Sequence, residues 1–235
     1  MSTMDNRYAT TYFVLDFDRC LGDTDGIQEV LEQVLQREAG IAPERLRSIR
    51  TEVEGSGRTF ETIRHVHELL ETAGSSSTWF YIRRKFLEAA RDADLLLPGA
   101  QDLLDILQQK EIPHGIITYG MEETWQLTKL EAAGLLGVPH LVTHIEEKSI
   151  LLEGWKHGEK FIIPPALDVS GSVTASELVF IDDKAKSFWG VPAGVRGVHV
   201  IAPGGNHLPA QQGEVPDSVM DVTGIQGAIE LLFGK

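Results

Sequence analysis

A parallel α/β sheet with a helical insertion after its first strand is the architecture that the sequence predicts, on three observations. Five short apolar runs end abruptly in polar residues. Helix-length stretches separate them, the alternation that a parallel sheet requires. The gap between the first and second runs is long and carries helical periodicity without a comparable strand. Length agrees: 235 residues at about 150 per domain amount to a core plus a modest insertion.

The first run, Tyr12-Phe13-Val14-Leu15, is aromatic and β-branched and stops in acids, as a buried strand feeding a polar loop does. Residues 25–39 follow with Ile27, Val30, Leu31, Val34 and Leu35 at the spacing of an amphipathic helix. Residues 60–72, 79–92 and 100–109 read likewise, punctuated by Gly55-Ser56-Gly57, Gly74-Ser75-Ser76-Ser77 and Leu97-Pro98-Gly99. The expected domains are therefore a core of 1–23 and 97–235 and a helical insertion of 24–96. The second strand is Gly115-Ile116-Ile117-Thr118-Tyr119-Gly120 and the third Leu141-Val142-Thr143. Residues 149–155 suit a short helix opened by Lys148, and Lys160-Phe161-Ile162-Ile163 an extra strand stopped by Pro164-Pro165. Leu178-Val179-Phe180-Ile181 and residues 195–201 complete the sheet.

Composition excludes several classes. At 42% hydrophobic, 24% charged and 7% aromatic the chain is ordinary for a globular protein, and neither disordered nor fibrous. A net charge of −14 repels nucleic-acid phosphates and anionic membrane surfaces, so neither is an expected partner. Cys20 is the single cysteine, which rules out an intrachain disulfide or a multi-thiolate metal site. The first residues lack the order of a signal peptide, and no apolar run approaches the roughly 18 residues of a membrane span. A cytoplasmic location is the expectation.

Function is written at the strand ends, where open parallel sheets collect ligands. Asp16 and Asp18 lie two residues apart just beyond the first strand, able to share one pocket as attacking group and proton carrier. Thr118 ends the second strand with a hydroxyl, a lysine follows the third, and Asp182-Asp183 ends the fourth. A nucleophile, a hydroxyl, an ammonium and an acid pair are the parts that attack on a phosphoryl group needs. Lys148, Lys156 and Lys160 all precede the acid pair. Lys148 is favoured because the 30 residues after Thr118 hold one helix of about 12, one strand of about 5 and ordinary connections.

With these residues in place, the sequence resembles the haloacid dehalogenase superfamily of phosphohydrolases, in the branch with a helical cap after the first strand. The family's first motif, DxDx(T/V)L, reads here Asp16-Phe17-Asp18-Arg19-Cys20-Leu21, followed by Asp23-Thr24. Arg19 replaces the usual glycine and Cys20 the usual threonine or valine. If the backbone at 19 needs positive φ, arginine bears a left-handed penalty of about 1–2 kcal/mol.

The resemblance implies a Rossmann-like three-layer core and a Mg²⁺-dependent phosphatase acting on a small phosphorylated metabolite. It implies that Asp16 forms an aspartyl-phosphate and that Asp18 protonates the leaving alcohol and later deprotonates water. Asp16 and Asp182 would ligate Mg²⁺, with the Asp18 carbonyl as a third ligand and Asp183 in support. Thr118 and Lys148 would bind the phosphoryl oxygens, with Arg19 near the substrate. Asp18 argues against dehalogenation, whereas a phosphomutase would share every motif. A non-enzymatic phospho-ligand or partner-binding module, its pocket mouth cluttered by Arg19, is the alternative from another class. Oligomeric state is not legible. The pairs His65/His67 and His140/His144, Cys20 and Arg83-Arg84-Lys85 read as structural, and Trp155 and Phe161 as core.

Overall fold

The computed structural model describes residue 8 and residues 10–168, 173–202 and 213–234. In chain order the elements are β1 (Thr11–Asp16), α1 (Thr24–Ala39), α2 (Pro43–Gly55), α3 (Thr62–Thr72), α4 (Trp79–Ala90) and α5 (Ala100–Gln109). Then come β2 (His114–Tyr119), α6 (Glu123–Ala132), β3 (His140–Thr143), α7 (Lys148–Trp155), β4 (Lys156–His157) and β5 (Lys160–Ile162). The chain closes with β6 (Thr174–Ala175), β7 (Glu177–Asp182), β8 (Val195–Ile201), β9 (Met220–Thr223) and α8 (Gly224–Phe233). Two compact units divide them, Met1–Gly22, Leu96–Thr118 and Val138–Lys235 in the first, Asp23–Leu95 and Tyr119–Gly137 in the second.

The first unit is a Rossmann-like α/β core on a six-stranded sheet of order β3-β2-β1-β7-β8-β9. β1 pairs in parallel with β2 and β7, β7 with β8, and β8 with β9. The chain runs outward from β1 through β2 to β3, then returns to lay β7 on the other side of β1. That reversal makes a topological switch point at the carboxyl ends of β1 and β7, the place where such sheets open a crevice for ligands. The central position explains the composition of β1: all six residues are buried, so both faces must be apolar.

Alternation sends Tyr12 and Val14 to one face of the sheet and Phe13 and Leu15 to the other. On the Phe13 face, α8 brings Phe233 into a stack at 5.9 Å, and α5 packs beside α8. On the Tyr12 face, Leu152 and Trp155 of α7 join Phe161, Phe180 and Phe188 in one buried cluster. This layer is part helix and part sheet, because β4, β5 and β6 form a separate three-stranded sheet that carries Phe161 into the cluster. Each large side chain buried this fully contributes about 1.5–3 kcal/mol of transfer free energy.

In the second unit, α1 begins where the Asp23 carboxylate accepts the Gly26 N–H at 3.0 Å and ends on Gly40 at φ 67°, the left-handed stop that glycine takes without strain. The expected insertion ended at 96, whereas residues 119–137 also belong to this unit. Packing explains it. Trp125 of α6 meets the rings of Trp79 at 5.9 Å and Phe86 at 5.5 Å, both on α4, and Arg83 donates to the Thr128 hydroxyl at 2.8 Å. Among the described residues, no helix is long and apolar enough to cross a membrane.

Candidate active site

The registers carry Asp16, Thr118 and Asp182 to one edge of the sheet. Asp16 lies opposite Ile117 of β2, one residue before Thr118, and Leu15 opposite Ile181 of β7, one residue before Asp182. After Asp16 the chain turns back on itself. The N–H groups of Cys20, Leu21 and Gly22 all point to the Phe17 carbonyl, at 3.2, 3.1 and 2.7 Å. Gly22 has no room for a side chain, since a Cβ there would stand 2.6 Å from the Phe17 ring. Arg19 occupies the left-handed region at φ 59°. An arginine thus stands where the backbone favours glycine, and this loop carries the left-handed penalty.

Lys148, the first residue of α7, places its ammonium between two carboxylates. It donates to Asp16 Oδ1 and, at 2.7 Å, to Asp182 Oδ2. Of the three lysines left open by spacing, it alone reaches Asp16; Lys156 donates to the Ala193 carbonyl and Lys160 is exposed on β5. Asp182 is oriented further by the Lys184 N–H, 2.8 Å from its Oδ1. Asp16, Asp182 and Asp183 are all buried and offer ligand oxygens within 4.8 Å of one another. Thr118, fully buried, donates to Asp18 Oδ2 at 3.3 Å. Lys148 joins Asp16 and Asp182, with Asp183 close by, Thr118 joins Asp18, and Arg19 adjoins them through its loop.

Lys148 pairs with two carboxylates, and a third, Asp183, lies in the same buried cluster. Burial, and then the neighbouring Asp182 and Asp183, push the Asp16 carboxyl well above its ordinary range, against the pull of Lys148. For Lys148, burial works against the charge, but the attraction of Asp16 and Asp182 outweighs it and holds the ammonium above its usual range. Lys148 is therefore a charged ammonium among crowded, buried carboxylates. A second cation there would favour their ionised forms. An all-oxygen carboxylate set is the donor chemistry of a hard ion such as Mg²⁺, so the residues fit that metal.

Cys20, His65, His140, Trp155 and Phe161, read as structural, have structural places. Cys20 is fully buried; burial first, then Asp16 and the acid pair, push its thiol well above the ordinary range, which is the opposite of nucleophile activation. His65 stacks on Phe60 at 4.8 Å and bonds Glu68 at 3.0 Å, and His140 bonds the Val138 carbonyl at 2.8 Å. Trp155 and Phe161 lie in the core cluster. His199, which sequence reasoning passes over, is buried beside the acid pair. A polar ring inside Val198-His199-Val200 was the available signal.

A scan against protein-family models and a search of curated proteins returned no match. Solved structures do match. A chain from Burkholderia xenovorans LB400, described as a haloacid dehalogenase-like hydrolase, aligns over 94% of this chain and 96% of its own at 19% identity and TM-score 0.59. A HAD-hydrolase from Bacillus subtilis bound to magnesium aligns over 95% and 98% at 17% identity and TM-score 0.56. A dehalogenase solved with an intermediate complex aligns over 95% and 96% at 16% identity and TM-score 0.51. The alignments run from end to end of both chains, and the chain has the haloacid dehalogenase-like hydrolase fold.

Proposed function

We propose that the protein is a Mg²⁺-dependent phosphatase that hydrolyses a small phosphorylated metabolite through a phosphoenzyme on Asp16. The observation that carries the reading is the Lys148 ammonium held against both Asp16 and Asp182, with Asp18 and Thr118 in contact alongside. Asp16 is the nucleophile: its carboxylate oxygen forms the bond to phosphorus as the ester oxygen leaves. Asp18 gives that oxygen its proton, then takes one from the water that breaks the Asp16–phosphorus linkage and restores the carboxylate. Thr118 donates its hydroxyl hydrogen to a phosphoryl oxygen, and Lys148 balances charge as the transition state forms. Asp16, Asp182 and the Asp18 carbonyl would hold Mg²⁺, supported by Asp183, and the ion would offset the phosphoryl charge that otherwise repels a carboxylate nucleophile.

The magnesium-bound relative supports the metal part of this reading. The dehalogenase relative raises a second chemistry on the same fold, against which Asp18 speaks, since dehalogenation needs no second acid to protonate an alcohol. A cytoplasmic location goes with the proposal, given one cysteine and no disulfide. The test is phosphate release from a chromogenic aryl phosphate and a panel of phosphorylated sugars, nucleotides and amino acids. Release with Mg²⁺ that stops with chelator is expected. Phosphate release unaffected by chelator would remove the metal, and no release from any ester would favour the non-enzymatic binding module.

A further inference from the structure

His199 is a buried polar ring that the phosphatase reading leaves unused. It lies on β8 at the position paired with Asp182 of β7 and is 3% exposed. The flanking Val198 and Val200 are what a strand buried on both faces calls for. An imidazole in that place is costly unless its nitrogens find partners. Both do. Nδ1 lies 2.9 Å from Oδ1 of Asp221, the β9 residue paired with His199, and Nε2 lies 3.1 Å from the backbone oxygen of Asp183.

A carbonyl oxygen only accepts, so the Nε2–H donates to it. That carbonyl belongs to the same peptide group as the Lys184 N–H, which donates to Asp182 Oδ1 at 2.8 Å. Peptide groups are planar, so holding the oxygen sets the direction of the N–H. A line of contacts thus runs from Asp221 through His199 and one rigid peptide to Asp182, whose other oxygen receives Lys148. Phe188, the last residue of the turn that follows the acid pair, packs edge-on against the imidazole at 5.8 Å and limits its rotation.

We infer that His199, braced by Asp221, is a positioning residue that aims the Asp182 and Asp183 carboxylates for the divalent cation. The inference rests on the metal reading proposed above and adds a residue outside its ligand set. Losing a hydrogen-bond partner of a metal ligand typically changes affinity by about 10–100-fold; here that partner is the Lys184 N–H, which His199 holds through one peptide, so the lower end applies.

Calorimetric titration of Mg²⁺ into the substrate-free protein tests it, with an unfolding transition recorded for each variant. His199→Phe, which keeps a ring and removes both ring nitrogens, should bind Mg²⁺ about tenfold more weakly. His199→Gln, whose amide N–H can replace Nε2–H, should recover to within about threefold. A purely structural histidine would lower the unfolding midpoint in both variants and leave Mg²⁺ affinity unchanged, and that result overturns the inference. If His199→Phe does not fold, Asp221→Ala decides: affinity weakened about threefold or more supports the brace, and unchanged affinity overturns it. A wild-type protein that binds no Mg²⁺ overturns the metal reading and the inference together. One that binds Mg²⁺ but releases no phosphate overturns the activity alone.

Discussion

Lys148 and Arg19 sit in the same site and bear opposite relations to their surroundings. Lys148 is buried between carboxylates, where attraction is much stronger than at a surface. Its replacement by alanine should lower turnover at least about a hundredfold, roughly 2.7 kcal/mol of barrier. Lys156→Ala and Lys160→Ala, which lie away from Asp16, should change it only a few-fold; steady-state rates of the three variants decide. Lys148→Arg should not rescue fully, because a planar guanidinium cannot take the place of a compact ammonium. Arg19 instead works against its backbone, at φ 59°. Arg19→Gly should raise stability by up to about 1 kcal/mol by removing left-handed strain, while Arg19→Ala, which keeps the Cβ, should not. Denaturant unfolding of the pair separates strain from lost side-chain contacts. The departure at Arg19 was visible in the sequence, but the sign of φ, which gives it meaning, came only with the folded loop.

At the scale of elements, legibility followed how much of a segment is buried. β1, β2 and β7 are near-continuous apolar runs because they lie mid-sheet, and their polar ends announced Asp16, Thr118 and Asp182-Asp183. β9 escaped notice because Met220-Asp221-Val222-Thr223 is a short edge strand with half its residues exposed. α2 escaped because only Leu46 and Val53 are buried along its 13 residues, too few for an amphipathic stripe. Its neighbour α3 shows a contact that no local pattern reveals. The Glu122 carboxylate accepts the N–H groups of Ile63 and Arg64, each at 2.9 Å, satisfying two donors that a helix start leaves open. These partners are about 60 residues apart, and α3 has no capping side chain of its own at Glu61. Glu122→Ala should therefore cost about 1 kcal/mol, the worth of an N-cap, in an unfolding titration; no loss would mean that water satisfies the α3 start equally well.

At the scale of the molecule, the sheet order explains why residues from 16 to 183 can act together. The chain leaves β1 in one direction and returns on its other side, so successive strand ends converge on Asp16. The order aspartate, threonine, lysine and acid pair along the strand ends was legible for that reason, whereas the allocation of residues 119–137 to the second unit depended on tertiary contacts of Trp125. Substrate choice has no such signature, since no motif in the helical insertion names a ligand. In the proposed reaction Asp16 carries the phosphoryl group and Asp18 moves its protons. An Asp18→Asn variant given an aryl phosphate, whose leaving group needs no proton, should accumulate phosphoenzyme. Mass spectrometry of the peptide containing residue 16 should then find the phosphate adduct on Asp16, and none in an Asp16→Asn control. An adduct elsewhere, or near-normal phosphate release by Asp16→Asn, would rule out Asp16 as the nucleophile.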